Sequence, residues 1–190
     1  MGELSPLFTP DRVAVVGATE RPGSVGRALV ENLLADFAGE VVPVNPNADT
    51  VCGLTAVDGV GEADADLAVV AVPASAVLEV VRDAAEAGVR NVVVISAGFG
   101  EAGGEGATRE RELAALAEEY DLNLVGPNCL GVISTPTGLN ATFAPRSAPA
   151  GSISFLSQSG AFVTAVLDWA ADHGVGFKDV VSLGNKAVLD

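Results

Sequence analysis

Histidine, lysine and cysteine are scarce in this sequence. His173 is the single imidazole, Lys178 and Lys186 are the two lysines, and Cys52 and Cys129 are the two thiols among 190 residues. Two isolated cysteines with no Cys-x-x-Cys spacing, and one histidine, do not make a zinc site of the usual kind, so no metal is expected. The same scarcity suits a reducing compartment. No uninterrupted apolar run approaches the roughly 20 residues that cross a bilayer, so no membrane partner is expected. The opening Met1–Pro6 lacks a basic stretch followed by an apolar one, so no secretory signal is visible and the expected location is the cytoplasm. Positive charge is also lacking: 10 Lys+Arg stand against 25 Asp+Glu, a net charge of −15. A chain this acidic is repelled by phosphate backbones, so no nucleic-acid partner is expected. Heptads and a three-residue glycine period are missing, which excludes coiled-coil and collagen-like readings.

What is present is a core. Hydrophobic residues make up 49% of the chain, enough to exclude global disorder. The acidic residues are spread along the whole length rather than gathered in a tail. Dispersed acid with little lysine suggests a halophilic source, where salt screens the self-repulsion.

Apolar runs alternate with amphipathic stretches. Strands are predicted at 12–16 (RVAVV), 40–44, 66–72 (DLAVVAV), 91–95 (NVVVI) and 121–125 (DLNLV). Helices are predicted over 25–37, over 75–87 with Ser75 as N-cap and Gly88 at the C-terminus, and over about 107–119. Near-continuous apolar strands separated by helices mean a parallel sheet covered on both faces. The fold class is therefore α/β, a Rossmann-like doubly wound parallel sheet over residues 1–130. From 131 to 150 Ser, Thr, Pro and Gly dominate, which reads as a connecting segment without a central strand. A strand from Ser152, a turn at Ser157–Gly160, a helix over 161–172 and a strand at 179–183 then open a second α/β unit over 151–190. One β-α-β cannot bury both faces of a sheet, so this unit is expected to be incomplete.

Doubly wound sheets bind ligands at the carboxyl ends of their strands. The first such turn, Gly17-Ala18-Thr19-Glu20-Arg21-Pro22-Gly23-Ser24-Val25-Gly26, has three glycines for close backbone approach, and the following helix offers free N–H groups and a positive dipole end, a combination that holds phosphate. The turn is neither the compact G-x-G-x-x-G nor a Walker loop. The second turn, Asn45-Pro46-Asn47, has no acidic residue before Asp49, which counts against a ribose site of the NAD type. The third and fourth turns, Val72-Pro73-Ala74 and Ser96-Ala97-Gly98-Phe99, are small enough for a long ligand to lie across. The fifth places Asn128 beside Cys129, a thiol that is either inert and buried or close to a reactive thioester. Ser157-Gln158-Ser159-Gly160 repeats the phosphate-binding logic at the second unit's helix, or serves simply as its cap.

In order, VGATERPGSVG, VNPN, VPAS, ISAGFGE, GPNCLGV, SQSGA and SLGN resemble the CoA-binding domain of the NDP-forming acyl-CoA ligases. That family includes the succinyl-CoA synthetase α-subunit and the ADP-forming acetyl-CoA synthetases, and the wording here is closer to the latter. The second unit then resembles the flavodoxin-like phosphohistidine domain of the same enzymes. The resemblance implies an enzyme that interconverts acyl-CoA, ADP and phosphate with acid, CoA and ATP through an acyl phosphate and a phosphohistidine. It implies that Gly17 to Gly26 hold CoA phosphates, that Val72 to Ala74 line the ligand path, and that Ser96 to Phe99 flank pantetheine. Asn128 and Cys129 would stand near the thiol, and Ser157 to Gly160 would face the phosphohistidine. Succinyl-CoA synthetases carry a lysine just beyond the second strand, where Asn47 and Ala48 stand here, and Arg21 is the nearest substitute. His173, in Asp-His-Gly at a predicted helix end, does not align with the family's nucleophile and reads as a surface cap. The chain is thus expected to hold no catalytic residue. The family's nucleophilic histidine and the ATP-grasp part that takes ATP/ADP and Mg would lie outside it. An ATP-grasp domain or subunit is the expected partner, in an oligomer. Two other readings stand beside this one: a stand-alone CoA-binding or regulatory module, and an NAD(P)-linked oxidoreductase.

Overall fold

A computed structural model describes residues 4–188. In chain order it contains α1 (Ser5–Phe8), β1 (Arg12–Val16), α2 (Val25–Asp36), β2 (Glu40–Val44), β3 (Thr50–Val51), β4 (Leu54–Thr55), β5 (Leu67–Val70), α3 (Ala74–Glu86), β6 (Asn91–Val94), α4 (Glu105–Glu119) and β7 (Asn123–Val125). These are followed by β8 (Gly131–Ser134), β9 (Leu139–Thr142), β10 (Ala150–Ser157), α5 (Gly160–His173) and β11 (Phe177–Ser182).

The first sheet is parallel throughout, in the order β2-β1-β5-β6-β7. Winding reverses between β1 and β5, and that is where a crevice opens at the carboxyl ends of such sheets. Strand alternation sorts the core. Ala14, Val16, Val70 and Val94 face α3 and α4, meeting Val77, Val81, Leu113 and Leu116. Val13, Val15, Val69 and Val93 face the other way, onto Leu29, Val30 and Leu33 of α2 and onto Leu139 and Ala141 of β9. Both faces are therefore covered, as the apolar strands require.

Two local expectations are corrected. The helix after β5 begins at Ala74 with Pro73 at its N-cap position, so Ser75 lies within the first turn and caps nothing. Proline fits there because the helix start has no use for its missing N–H. The segment 131–150 is also more than a connector. Its first half is a hairpin of β8 and β9, and β8 pairs antiparallel with β11 in a second sheet of order β10-β11-β8-β9. The polar residues that disguised it satisfy one another: Thr142 Oγ1 donates to Asn140 Oδ1 at 2.7 Å, and Asn32 of α2 donates to the Thr142 and Ala144 carbonyls at 2.7 and 3.0 Å.

The second sheet is less well covered. β10 runs along its edge with most residues exposed, and Ile153, Leu156, Phe162 and Trp169 are each at least half exposed. No helix among the described residues is long and apolar enough to cross a membrane.

The charge excess has a measurable consequence. The arginines pair where they can, Arg12 with Glu40 at 2.6 Å, Arg27 with Glu31 at 2.8 Å and Arg109 with Glu105 at 3.0 Å. Exposed pairs of this kind are screened by solvent, add little stability and cannot balance 25 acidic residues against 10 basic ones. The melting temperature is expected to rise steeply as KCl goes from millimolar to molar, because screening acts on the unpaired acid. A flat or falling series of thermal melts would remove the salt-adapted reading.

Candidate functional site

The turn after β1 is held from both sides. Gly17 N–H donates to the Val44 carbonyl at 3.1 Å, and Asn45 Nδ2 donates to the Ala18 carbonyl at 2.8 Å. Asn45 Oδ1 in turn accepts from Asn47 N–H at 2.9 Å, so one side chain fixes both strand-end turns. Ser24 caps α2, its Oγ accepting from Arg27 N–H at 3.4 Å and donating to the Arg21 carbonyl at 2.7 Å. The N–H groups of Val25 and Gly26 are left without acceptors among the described residues. Gly26 is buried, and a Cβ there would collide with the Gly17 carbonyl, so the helix start lies directly against the turn. Arg27 is committed to Glu31 and to the Glu20 carbonyl, whereas the exposed Arg21 side chain has no partner among the described residues.

Two cavities open at this edge and share Val72. The strand-end cavity, of about 360 Å³, is lined by Gly17, Ala18 and Thr19 and by Asn45, Pro46 and Asn47. The interface cavity, of about 700 Å³, lies between the first sheet and α5. Val25, Ser96, Ala97, Asn128 and Cys129 line one side of it, and Gln158, Ser159 and Gly160 line the other. Ser159 is the N-cap of α5, with Oγ accepting from Phe162 N–H at 3.2 Å, and the Gly160 and Ala161 N–H groups remain without acceptors among the described residues. Capping by Ser159 thus leaves the first two N–H groups of this helix start free among the described residues.

Several residues singled out in the sequence lie elsewhere. Arg21, Gly23 and Ser24 form the arch of the first turn and line neither cavity, and neither do Pro73, Ala74, Gly98 and Ser157. Phe99 is fully buried in the core beside Val94 and Leu113, so its ring cannot flank a ligand, and apolar area of that size belongs in the core. Ser96 Oγ donates to the Val72 carbonyl at 2.6 Å and ties two turns together. Cys129 is almost fully buried, and its Sγ donates inward to the Val94 carbonyl at 3.2 Å. Burial pushes this thiol up to about 12, against the opposing backbone N–H groups of Gly131 and Cys129. It stays protonated at neutral pH and is no nucleophile. His173 ends α5, stacks on Trp169 at 4.6 Å and faces solvent. At 1.5 Å per residue a 14-residue helix holds it roughly 20 Å from Ser159.

Sequence reasoning missed a polar cluster behind Gly98. Glu101 Oε1 accepts from Gly98 N–H at 2.5 Å and Phe99 N–H at 3.2 Å, and Glu110 Oε2 accepts from Gly100 N–H at 2.8 Å. Asn185, from the SLGN stretch, donates to both carboxylates at 2.6 Å, and its Oδ1 accepts from Asn128 Nδ2 at 3.1 Å. Partial burial pushes the Glu101 carboxyl up, but the hydrogen bonds from Gly98, Asn185 and its own and Phe99 N–H groups outweigh this and hold it below the ordinary range. Asn185 N–H also donates to the Pro127 carbonyl at 2.9 Å, and the Ala187 N–H to that of Gly126 at 3.1 Å. SLGN was visible as a motif, but nothing in the sequence placed it against residues 75 and 84 positions earlier. Asp58 and Asp83, which also line the strand-end cavity, were likewise not foreseen.

Comparison with known proteins gives this geometry a family. The CoA binding domain family matches residues 11–135, and the succinyl-CoA ligase like flavodoxin domain matches residues 150–190. An acetate–CoA ligase [ADP-forming] I of Archaeoglobus fulgidus is 50% identical over 97% of this chain, which spans 27% of that relative. The α-subunit of acetate–CoA ligase [ADP-forming] II of Pyrococcus furiosus is 39% identical over 98% of the chain, which spans 41% of that subunit. The dinucleotide-forming acetyl-coenzyme A synthetase 1 of Candidatus Korarchaeum cryptofilum, solved in complex with phosphate and ADP, is 40% identical. It superposes with a TM-score of 0.95 over 100% of this chain and 41% of that one. Two turns fixed by one asparagine, two helix starts with free N–H groups and two neighbouring cavities that share Val72 are thus the local features of a chain that belongs to the CoA-binding domain family.

Proposed function

We propose that this chain is the CoA-binding part of an ADP-forming acyl-CoA ligase, with residues 1–130 as the CoA unit and 151–190 as the opening of the phosphohistidine unit, the β8–β9 hairpin of 131–150 tying the two together. The observation that carries the reading is a pair of cavities at the same sheet edge with Val72 lining both. One long ligand, with its adenosine in the strand-end cavity and its pantetheine arm in the interface cavity, would follow the edge of the sheet. The start of α2 and the exposed Arg21 would face the intervening phosphates. The arm would then end beside the free N–H groups of Gly160 and Ala161, a seat for inorganic phosphate. In the assembled ligase, where its remaining parts close over this seat, an oxygen of hydrogen phosphate would attack the thioester carbonyl. The C–S bond would break and the phosphate proton would pass to the departing sulfur, giving CoA as the thiol and an acyl phosphate. The open seat of this chain alone does not complete the step. Cys129 is protonated and His173 is far away, so neither this thiol nor this imidazole attacks at the interface. The phosphoryl acceptor and the nucleotide site would belong to other parts of the protein or to a partner subunit. The exposed Ile153, Leu156, Phe162 and Trp169 are the proposed surface for them.

The 190-residue chain is expected to bind CoA in a calorimetric titration, and to release no CoA when given acetyl-CoA, phosphate and ADP. Absence of CoA heat from the folded chain would overturn the reading. Turnover, or an acid-labile phosphate on His173 that is lost in His173→Asn, would show that the nucleophile has been misplaced. A stand-alone CoA-binding module makes the same titration prediction. It separates from the ligase in the coding sequence, where a longer reading frame with a histidine in a Gly-rich loop favours the ligase. NADH in the titration addresses the oxidoreductase reading.

A further inference from the structure

The strand-end cavity carries the wrong charge for a phosphate. Asp58 and Asp83 line it, and no arginine or lysine does. Neither carboxylate has an ion-pair partner among the described residues, and both are solvent-exposed. Asp58 owes its place to tertiary structure. Val57 forms a parallel bridge with Val44, its N–H donating to the Pro43 carbonyl at 3.0 Å and its carbonyl accepting from Asn45 N–H at 3.0 Å. The next residue therefore stands alongside the end of β2, where Asn45-Pro46-Asn47 offers no charge. The remaining polar lining, Thr19, Asn45 and Asn47, is neutral.

Resting on the proposal that adenosine occupies this cavity, we infer that the protein reads the donor groups of the adenosine and does not grip the 3′-phosphate of CoA. Carboxylates accept hydrogen bonds. They suit the exocyclic amine of adenine and the free ribose hydroxyl, and they repel a phosphate dianion. A cation-free cavity with two carboxylates gives no Coulombic reward for the 3′-phosphate, which is left to solvent. The chain should then accept dephospho-CoA as readily as CoA. The phosphate grip falls instead to the start of α2 and to Arg21, and it acts on the pyrophosphate that both ligands share.

Calorimetric titrations of the 190-residue chain with CoA and with dephospho-CoA, at low and at molar KCl, test this. Dephospho-CoA is expected to bind within about 3-fold of CoA or more tightly, and any low-salt advantage of dephospho-CoA should shrink in molar salt. Asp58→Asn and Asp83→Asn should shift the preference toward CoA by roughly 2- to 5-fold at low salt, by removing repulsion. Asn47→Lys, which puts a cation on the exposed rim, should create a preference for CoA of about 5-fold or more, and that preference should fade with salt. Arg21→Ala should weaken both ligands by the same factor. CoA binding tenfold or more tighter than dephospho-CoA, or an Arg21→Ala loss confined to CoA, would overturn the inference while leaving the CoA-binding reading intact. No heat with either ligand would remove both.

Discussion

Gly26→Val is expected to abolish CoA binding and to leave the parallel sheet folded. Gly26 is the second residue of α2, and a Cβ there would land on the carbonyl of Gly17, at the start of the turn it packs against. Backbone cannot move aside as the end of a flexible side chain can, so α2 must back away from the turn. Overpacking of this kind costs about 1–3 kcal/mol. A domain held by about 5–15 kcal/mol survives that, all the more because the apolar contacts of Leu29, Val30 and Leu33 lie further along the helix. A binding site is less tolerant. Helix-start N–H groups must sit within about 0.5 Å of their productive positions, and displacing the Val25 and Gly26 N–H groups should lower CoA affinity at least about 100-fold. Gly23→Ala is the control. Gly23 has a φ of +74° but no neighbour within 4 Å of an added Cβ. Backbone strain of roughly 1–3 kcal/mol, partly relaxed in an exposed loop, should then weaken binding by much less. Calorimetry with circular dichroism separates the outcomes: a folded Gly26→Val protein that binds CoA like the parent would show that the phosphates lie elsewhere.

The contrast between Gly26 and Phe99 shows what the sequence could and could not disclose. Glycine spacing after a β-branched strand predicts close backbone approach, and Gly26 does lie directly against the Gly17 carbonyl, whereas Gly23 has no neighbour within 4 Å of an added Cβ. Phe99 sits in an equally Gly-rich turn, yet its ring turns into the core beside Leu113, because an apolar ring gains more there than at a wet edge. Type and position in a turn do not decide which way a side chain faces. Strands β1 and β2 were legible to the residue because each is a short apolar run ended by a turn signal. The hairpin of β8 and β9 was not, because its stability comes from partners distant in sequence. Asp179 lies opposite Ser134 across the second sheet, and Asn32 reaches the Thr142 carbonyl from α2. Buried Asn140 and Thr142 made a strand look like a loop, since their mutual hydrogen bond is invisible to hydropathy. Asp58 escaped for the same reason, as it completes the end of β2 from a segment 14 residues beyond Val44.

Asn185→Asp is expected to unfasten the second unit from the first. Asn185 Nδ2 donates to Glu101 and to Glu110, and no other group among the described residues donates to both carboxylates. Aspartate has the same shape but only accepts. The substitution deletes two hydrogen bonds to charged acceptors and sets a third carboxylate among them. The expected loss is roughly 2–4 kcal/mol, or about 5–15 °C in melting temperature at this chain length. Asn185→Ala loses the bonds without adding charge and should fall between the parent and Asn185→Asp. Acid distinguishes charge from shape. In the parent, the folded-state pKa of Glu101 is depressed, so its contribution is present above the ordinary glutamate value of about 4.3 and is lost as pH falls through the depressed value. The parent therefore weakens in acid. In Asn185→Asp three crowded carboxylates hold a shared proton more readily, so lowering the pH from 7 to 5 should narrow its gap to the parent, while the gap of Asn185→Ala stays constant. The same cluster holds the Gly98 and Phe99 N–H groups and Asn128, so losing it should also loosen the interface cavity and weaken CoA binding. Thermal melts of the three proteins at pH 7 and pH 5 decide the matter. Asn185→Asp melting with the parent, or tracking Asn185→Ala at both pH values, would show that the cluster does not join the two units through charge.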